Sequence, residues 1–220
     1  MKKILLTGAV ALFGLSNAQI AKGTTYLSGQ IEYHHNENNE VNGSRKDDVF
    51  KILPTAGYFV ASNLAVGLGV GYKSAVSKYE VGDAAISNVL EIKDTDNAFV
   101  VTPFVRKYWT LSEKLYIFGQ LLVPLEFGQE KIESSSASDG GDPFFNYYFS
   151  QKNKYTRIGV NIKPGLDYFL NKNWSIEATL GEFGYNTYKA DYEGATRKNK
   201  YQFGLNLSSV TFGVKYVFAK

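Results

Sequence analysis

The chain has 220 residues, no cysteine and a formal net charge of +3 at pH 7. This charge gives no basis for a nucleic-acid-binding protein, and the lack of cysteine excludes a small scaffold held together by disulfides. Tyrosine and phenylalanine are abundant, with 16 and 15 copies, while proline has only 5, a composition that favours β structure.

The first eighteen residues predict a secretory signal peptide. Two lysines follow the initiator methionine, a short apolar run covers residues 4–15, and Ser16 and Ala18 are the small residues of a cleavage site. A membrane anchor is disfavoured, because the apolar run is shorter than the ~20 residues of a spanning helix. We therefore predict cleavage after Ala18 and a mature β-barrel domain over residues 19–220. Loss of the two lysines would lower the net charge from +3 to +1.

From residue 24 to 219 the sequence alternates apolar residues with small or polar ones, in about eight runs of roughly ten residues. A period of two is typical of a β-strand, because successive side chains point to opposite faces. A tilted strand needs ~9–11 residues to cross a bilayer, so these lengths fit a transmembrane strand. The predicted strands are about Thr24–His34, Asp48–Val60, Leu64–Lys73, Asn97–Trp109, Leu115–Gly128, Lys154–Leu170, Trp174–Tyr185 and Tyr201–Phe218.

Short turns and long polar segments alternate between the predicted strands, which matches the short periplasmic turns and longer external loops of outer-membrane barrels. The turns are at 61–63, 111–114 and 171–173, and the predicted loops are 35–47, 74–96, 129–153 and 186–200. The loop 129–153 contains an aromatic run at Pro143–Phe149. This run is interpreted either as an upward extension of the sixth strand or as an exposed ligand-contacting patch.

Three strands carry irregularities. Glu182 falls on the apolar face of the seventh strand, so either the strand bends before it or Glu182 lies beyond the hydrocarbon. A shift of apolar parity in the eighth strand predicts a bulge at Ser208–Ser209. Gly67, Gly69 and Gly71 alternate within the third strand, which predicts internal space for bulky neighbours and not a dinucleotide-binding fingerprint.

The less apolar strand faces carry charged residues, which a soluble and a membrane barrel would place on opposite sides of the wall. A soluble barrel would turn those residues to water, whereas a membrane barrel turns them inward and presents its aliphatic face to lipid. Aromatic residues gather at both strand ends, as in the two girdles of membrane barrels. We therefore predict an all-β, eight-stranded antiparallel up-and-down transmembrane β-barrel. The girdle at the short turns would comprise Tyr58, Phe59, Tyr108, Trp109, Tyr116, Tyr168, Trp174, Tyr216 and Phe218, and the girdle at the long loops Tyr33, Tyr72, Phe99, Phe127, Tyr155, Tyr185 and Tyr201.

The inward-facing charges predict a structural network across the lumen. Unpaired charge in a narrow lumen is costly, so the cations are expected to pair with the anions. The other interpretation of the same residues is a narrow polar or gated pore. The cations are Lys51, Arg106, Lys163 and Lys215, and the anions are Glu32, Glu126, Asp167 and Glu177.

Several segments together resemble the small outer-membrane β-barrel family that includes the OmpA barrel domain, the opacity proteins and the "porin family" barrels. The motifs are Thr55–Phe59 with Leu64–Tyr72, Thr102–Tyr108, Pro164–Phe169 and Phe212–Phe218. The chain departs from the family in ending Phe218-Ala219-Lys220, which displaces the terminal aromatic residue by two positions. The resemblance implies location in the outer membrane and contact with its lipid and lipopolysaccharide. It also implies assembly by the barrel assembly machinery, and a possible extracellular ligand at the loops.

The predicted function is that of a non-enzymatic barrel with a structural or surface-interaction role, with no catalytic residue, cofactor or metal. One alternative is a porin-like narrow channel for small solutes. A second is a lipid A-modifying enzyme, which needs a histidine beside a serine nucleophile. His34 and His35 are the only histidines, and as neighbours on a strand they point apart and cannot serve one site. Two histidines also fall short of the ligands that a metal needs.

Overall fold

A computed structural model describes residues 19–40, 43–83, 88–138, 147–203 and 210–218 of the chain. These residues contain no helix that is long and apolar enough to span a bilayer. They form eleven β-segments: β1 (Thr25–Glu40), β2 (Gly43–Ala61), β3 (Leu64–Asp83), β4 (Asn88–Thr110), β5 (Leu115–Leu122), β6 (Leu125–Ser138), β7 (Tyr147–Phe169), β8 (Trp174–Leu180), β9 (Phe183–Ala190), β10 (Lys198–Gln202) and β11 (Val210–Phe218).

The segments form a closed antiparallel ring. Each of β1 to β4 pairs with its neighbour in the chain, and three positions of the ring are shared by two segments, β5 with β6, β8 with β9, and β10 with β11. The ring closes where Thr25–Gln30 of β1 pair with Gly213–Phe218 of β11. Because the ring is closed, the backbone N–H and C=O groups of its first and last strands hydrogen-bond each other, where lipid would offer them no partner. The predicted all-β, eight-stranded up-and-down barrel is therefore confirmed.

Most of the strands are longer than predicted, and much of the predicted loops 35–47, 74–96 and 129–153 is strand. The β1–β2 ladder continues without a shift up to Glu40 opposite Gly43. At ~3.3 Å per residue, the 23-residue β4 runs about 75 Å, far beyond the thickness of a bilayer. These extensions face water on both sides, so their sequence lacks the apolar alternation that marked the membrane strands.

Two predicted strands are interrupted. The fifth is split at Val123–Pro124, but the Val123 amide still donates to the Pro103 carbonyl at 3.0 Å. The seventh is split at Gly181–Glu182, where Gly181 adopts a φ of 79°, a left-handed value that favours glycine. This bend turns Glu182 into the lumen, which decides between the two explanations of its position. The predicted bulge at Ser208–Ser209 lies outside the described residues.

The outside of the barrel carries a continuous aliphatic band. Val66, Val105, Leu121 and Ile162 are successive partners across β3, β4, β5 and β7, and their side chains remain 38–52 % exposed. Soluble monomers rarely expose apolar patches larger than a few hundred Å². A band of this kind, surrounding a charged interior, is covered by lipid in a transmembrane barrel.

The two predicted aromatic girdles are only partly correct. Trp109 and Trp174 are exposed on the outside, at 49 % and 44 %. In contrast, Phe59, Tyr108 and Tyr116 are at most 5 % exposed and lie inside the barrel. On their strands, these three residues alternate with the residues of the aliphatic band. Their side chains therefore point inward by the same alternation that turns Trp109 outward.

Gly67 makes room for a ring inside the barrel, as predicted for the third strand. A Cβ at Gly67 would lie 2.3 Å from Phe104 Cζ and 2.4 Å from the Ala56 carbonyl oxygen. Because backbone must move, we expect Gly67→Ala to lower the free energy of unfolding by about 1–3 kcal/mol. Gly29→Ala is the matched control, since no atom lies within 4 Å of its Cβ position. Urea unfolding in lipid vesicles would measure both, and equal stabilities of the two variants would contradict the expectation.

Candidate functional site

The lumen is closed near the short turns by a cluster of aromatic side chains, here called the plug. Phe59 lies between Tyr26 and Tyr108, with ring centroids 5.7 and 5.5 Å apart, and Tyr108 continues to Phe118 at 5.8 Å. Partly buried Ile20, from the segment before β1, packs against this cluster. The buried members of the plug are Tyr26, Phe59, Ala65, Phe104, Tyr108, Tyr116, Phe118, Leu122 and Val217.

Two ion pairs lie inside the plug. Arg106 Nη1 is 2.5 Å from Glu177 Oε2, and Arg106 Nε donates to Gln120 Oε1 at 2.7 Å. The Lys215 ammonium pairs with Asp167. All four charged side chains are at most 2 % exposed. Each charge is thus compensated where hydration is lost, which a buried charge requires.

Aromatic faces complete the surroundings of the two cations. The Arg106 guanidinium lies 4.2 Å from the centroid of Phe118, and Lys215 Nζ lies 4.9 Å from that of Tyr108. Rings at these distances attract cations through their quadrupoles. The Tyr108 hydroxyl also accepts from Arg106 Nη1 at 3.1 Å and lies 3.3 Å from Lys215 Nζ, so it links the two ion pairs.

The chain segment ahead of β1 is fixed across the short-turn end. The Ile20 amide donates to Asn63 Oδ1 at 2.8 Å, and the Asn63 amide donates to the Ile20 carbonyl at 3.1 Å. Asn63 has a φ of 59°, a left-handed conformation that asparagine tolerates in tight turns. The turn between β2 and β3 therefore holds the start of the predicted mature chain against the plug.

Beyond the plug, the lumen widens into a cavity of about 550 Å³, here called the outer cavity. It extends from Gln120, beside the plug, to the exposed Lys198 and Lys200 of β10. Its size falls within the range of small-molecule sites. Among the described residues, its charged lining comprises Lys51, Arg157, Lys163, Lys198, Lys200, Glu126, Glu130 and Glu182.

The outer cavity has its own ion pairs, which differ from those predicted. Glu126 pairs with Arg157 at 2.5 Å, and Lys163 pairs with Glu182 at 3.0 Å. Neither Arg157 nor Glu182 belonged to the predicted network. Arg157 alternates with the outward-facing residues of β7, so the sequence pattern could have predicted that it faces inward. Glu182, in contrast, faces inward only because the strand breaks at Gly181.

Lys51 and Glu32, two members of the predicted lumen network, form no direct ion pair within the described chain. They are direct partners across β1 and β2, but within the described chain neither has an oppositely charged group within 4.0 Å. Glu32 is exposed, whereas Lys51 is partly buried and lines the outer cavity. These two members of the predicted network therefore interact only at a distance, if the ion-pair limit of 4.0 Å is applied.

The two histidines lie on opposite faces of β1. His35 Nδ1 is 2.7 Å from Asp48 Oδ1, and its Nε2 is 3.9 Å from Glu37 Oε2. Ser28, the nearest serine in sequence, instead hydrogen-bonds Thr55 at 2.5 Å inside the barrel. In the described part of the chain no hydroxyl bonds either imidazole, so a nucleophile–histidine arrangement is not assembled there.

The strand extensions form a crown above the membrane. In it, Asp47 accepts from Ser77 Oγ at 2.7 Å and from Arg45 Nε at 2.9 Å. These hydrogen bonds, that from Ser77 first, lower the pKa of the Asp47 carboxyl. Tyr147–Phe149 belong to β7, so this part of the aromatic run is a strand extension with 40–66 % exposed side chains. The residues before them in the run, 143–146, lie outside the described chain.

Comparison with known proteins gives matches in structure only. No protein-family model matches the sequence, and no curated protein matches it either. The chain is similar to the N-terminal β-barrel domain of Pseudomonas aeruginosa OprF, with 13 % identity, 90 % of this chain and 100 % of that chain covered, and a TM-score of 0.37.

Two further structures are similar to the chain with comparably low identities and TM-scores. Ail, the attachment invasion locus protein of Yersinia pestis, aligns with 13 % identity over 90 % of this chain and 99 % of its own, with a TM-score of 0.30. The translocator domain of the autotransporter NalP from Neisseria meningitidis aligns with 9 % identity over 98 % and 94 %, with a TM-score of 0.26.

Proposed function

We propose that the protein is a non-enzymatic β-barrel of the outer membrane with a structural or surface-interaction role. In this proposal residues 1–18 are removed as a signal peptide, and the barrel assembly machinery inserts the mature chain. Outer-membrane lipid and lipopolysaccharide then surround the aliphatic band. The crown of strand extensions presents the exposed surface on which an extracellular partner would act.

The observation that supports a closed barrel is the plug with its two ion pairs. Arg106, Glu177, Asp167 and Lys215 are essentially inaccessible to solvent. Transport through the plug would require these charges to separate in a water-poor environment, at a cost of several kcal/mol. An eight-stranded barrel is only wide enough for side chains or one small ligand, so this arrangement favours a closed lumen over a porin-like channel.

The lipid-modifying alternative has less support. The His35–Asp48 pair orients an imidazole on the outer face of β1, but the described residues supply no nucleophile to it. No group of three or more potential metal ligands is found among them either.

Planar bilayer recording tests the closed barrel. We expect the purified full-length mature protein to give no conductance steps over many insertions at physiological salt. The double variant Arg106→Ala/Lys215→Ala, which removes the two plug cations, is the matched comparison and should admit brief openings. Steady conductance of the unmodified protein would overturn the proposal in favour of the channel.

A further inference from the structure

Lys51 is the one inward-facing cation of the membrane-spanning strands, among the described residues, that has no carboxylate partner. Arg106, Lys215, Arg157 and Lys163 each lie within 3.0 Å of a carboxylate oxygen. No carboxylate oxygen lies within 4.0 Å of Lys51 Nζ among the described ion pairs, although its side chain lines the outer cavity. A charge held away from bulk water is costly without a counter-charge.

Three carboxylates, Glu32, Glu126 and Glu182, act favourably on the charge of Lys51 from a distance, but none of them forms a direct ion pair with it. Its cross-strand partner on β3 is Lys73, which is itself paired with Asp96 at 2.9 Å. Like charges directly opposite each other across two strands are unfavourable. Glu126 and Glu182, the carboxylates that line the same cavity nearby, are bound to Arg157 and Lys163. Glu32, the partner on β1, is exposed and beyond ion-pair distance.

The net charge of the outer-cavity lining is positive, like the charge of Lys51. Five basic and three acidic residues of the described chain line the outer cavity, a formal excess of two positive charges. The acid not in an ion pair, Glu130, accepts a hydrogen bond from the Tyr188 hydroxyl at 2.8 Å. Lys198 and Lys200 at the rim extend the positive potential to the mouth, which would attract an anion from outside.

The neutral lining of the outer cavity is suited to hydroxyl groups. Asn161 and Asn186 lie side by side, with amide contacts of 3.3 Å in both directions. Gln120 uses its oxygen for Arg106, which leaves its two amide donors for another partner. The Tyr188 ring supplies an apolar face in the same wall. Amides, a carboxylate and an aromatic face fix an orientation by a few polar contacts, as small-molecule sites do.

From these observations we propose that the outer cavity binds a small hydroxylated anion, of the class of a sugar acid or sugar phosphate, with Lys51 as its counter-ion. The ligand enters from the crown side, because the plug closes the other end. This role goes beyond the proposed surface function and does not depend on it. A conducting barrel would overturn the closed lumen and still leave this binding site open to test.

Calorimetric titration of the folded mature protein in detergent tests the proposal, with glucuronate, glucose 6-phosphate, glucose and inorganic phosphate as probes. We expect saturable binding of at least one acidic sugar, at least tenfold tighter than glucose and than inorganic phosphate. The acidic sugar that binds more tightly shows whether the site prefers a carboxylate or a phosphate. The proposal would be overturned if glucose bound as tightly as both acidic sugars, or if inorganic phosphate were the only probe that bound. It would also be overturned if neither acidic sugar showed saturable binding.

Variants then test the role of Lys51. Lys51→Gln should weaken binding of the acidic sugar at least tenfold, and Lys51→Arg should retain most of it. Lys107→Gln is the matched control, because Lys107 lies on the outside of the barrel wall and should have no effect. Folding of each variant is checked by its heat-dependent shift on electrophoresis. Unchanged affinity in folded Lys51→Gln would overturn the assignment.

Discussion

Glu177→Ala is expected to lower the free energy of unfolding by about 3–5 kcal/mol, because it leaves the Arg106 guanidinium buried without its counter-charge. Arg106 is 2 % exposed and Glu177 is fully buried, so water cannot replace the lost carboxylate. Gln120 and Tyr108 would remain as neutral acceptors, which do not compensate a full charge. Urea unfolding in lipid vesicles, followed by tryptophan fluorescence, measures the change.

Two controls separate this effect from simple loss of side-chain volume. The double variant Arg106→Met/Glu177→Leu removes both charges and should recover most of the lost stability, since apolar replacement of a buried pair is often neutral. Glu37→Ala breaks the exposed contact of 3.2 Å with Lys46 and should cost at most about 1 kcal/mol. If Glu177→Ala costs no more than Glu37→Ala, the plug ion pair does not stabilise the barrel.

Ile162→Arg should cost about 2–4 kcal/mol if the aliphatic band faces lipid, because a charge at the bilayer midplane loses its hydration. Ile162 lies on the outward face of β7, seven residues before the short-turn end of that strand at Phe169, with its side chain 52 % exposed. In a protein surrounded by water, an arginine on so exposed a site would change stability by less than about 0.5 kcal/mol. The same unfolding assay in vesicles distinguishes these values.

Tyr168→Arg provides the matched control on the same strand. Tyr168 lies on the same outward face, next to the short turn, and is 47 % exposed. Near the interface the cost of arginine falls to about 0–1 kcal/mol. Equal costs at positions 162 and 168 would contradict the depth dependence that a bilayer imposes, and with it the orientation of the barrel.

The strands within the membrane could be predicted because one face meets lipid and the other meets a packed interior. This difference produces the alternation seen in β3 and β7, and it assigns Arg106, Asp167, Glu177 and Lys215 to the inside. The extensions above the membrane could not be predicted in this way. Both of their faces meet water, so β1 and β2 continue to residues 40 and 43 without an apolar period.

Pairing within the lumen shows the same limit. Arg106 and Glu177 are 71 residues apart, and Asp167 and Lys215 are 48 apart. Parity places each of them inside but gives neither their height along the barrel axis nor their position around the ring. Lys163 therefore pairs with Glu182, which parity had placed outside, and Lys51 has no carboxylate partner.

By itself, the sequence determined the β-strands, their eight positions and which face of most membrane strands turns inward, because these follow from local alternation and need no knowledge of neighbours. Only the tertiary structure decided which charges meet, where the lumen closes and where a cavity remains. Those features depend on the register between strands and on two local breaks, at Pro124 and Gly181. A shift of one residue at Pro124 or at Gly181 would turn the inward-facing side chains of the following segment outward, and its outward-facing side chains inward.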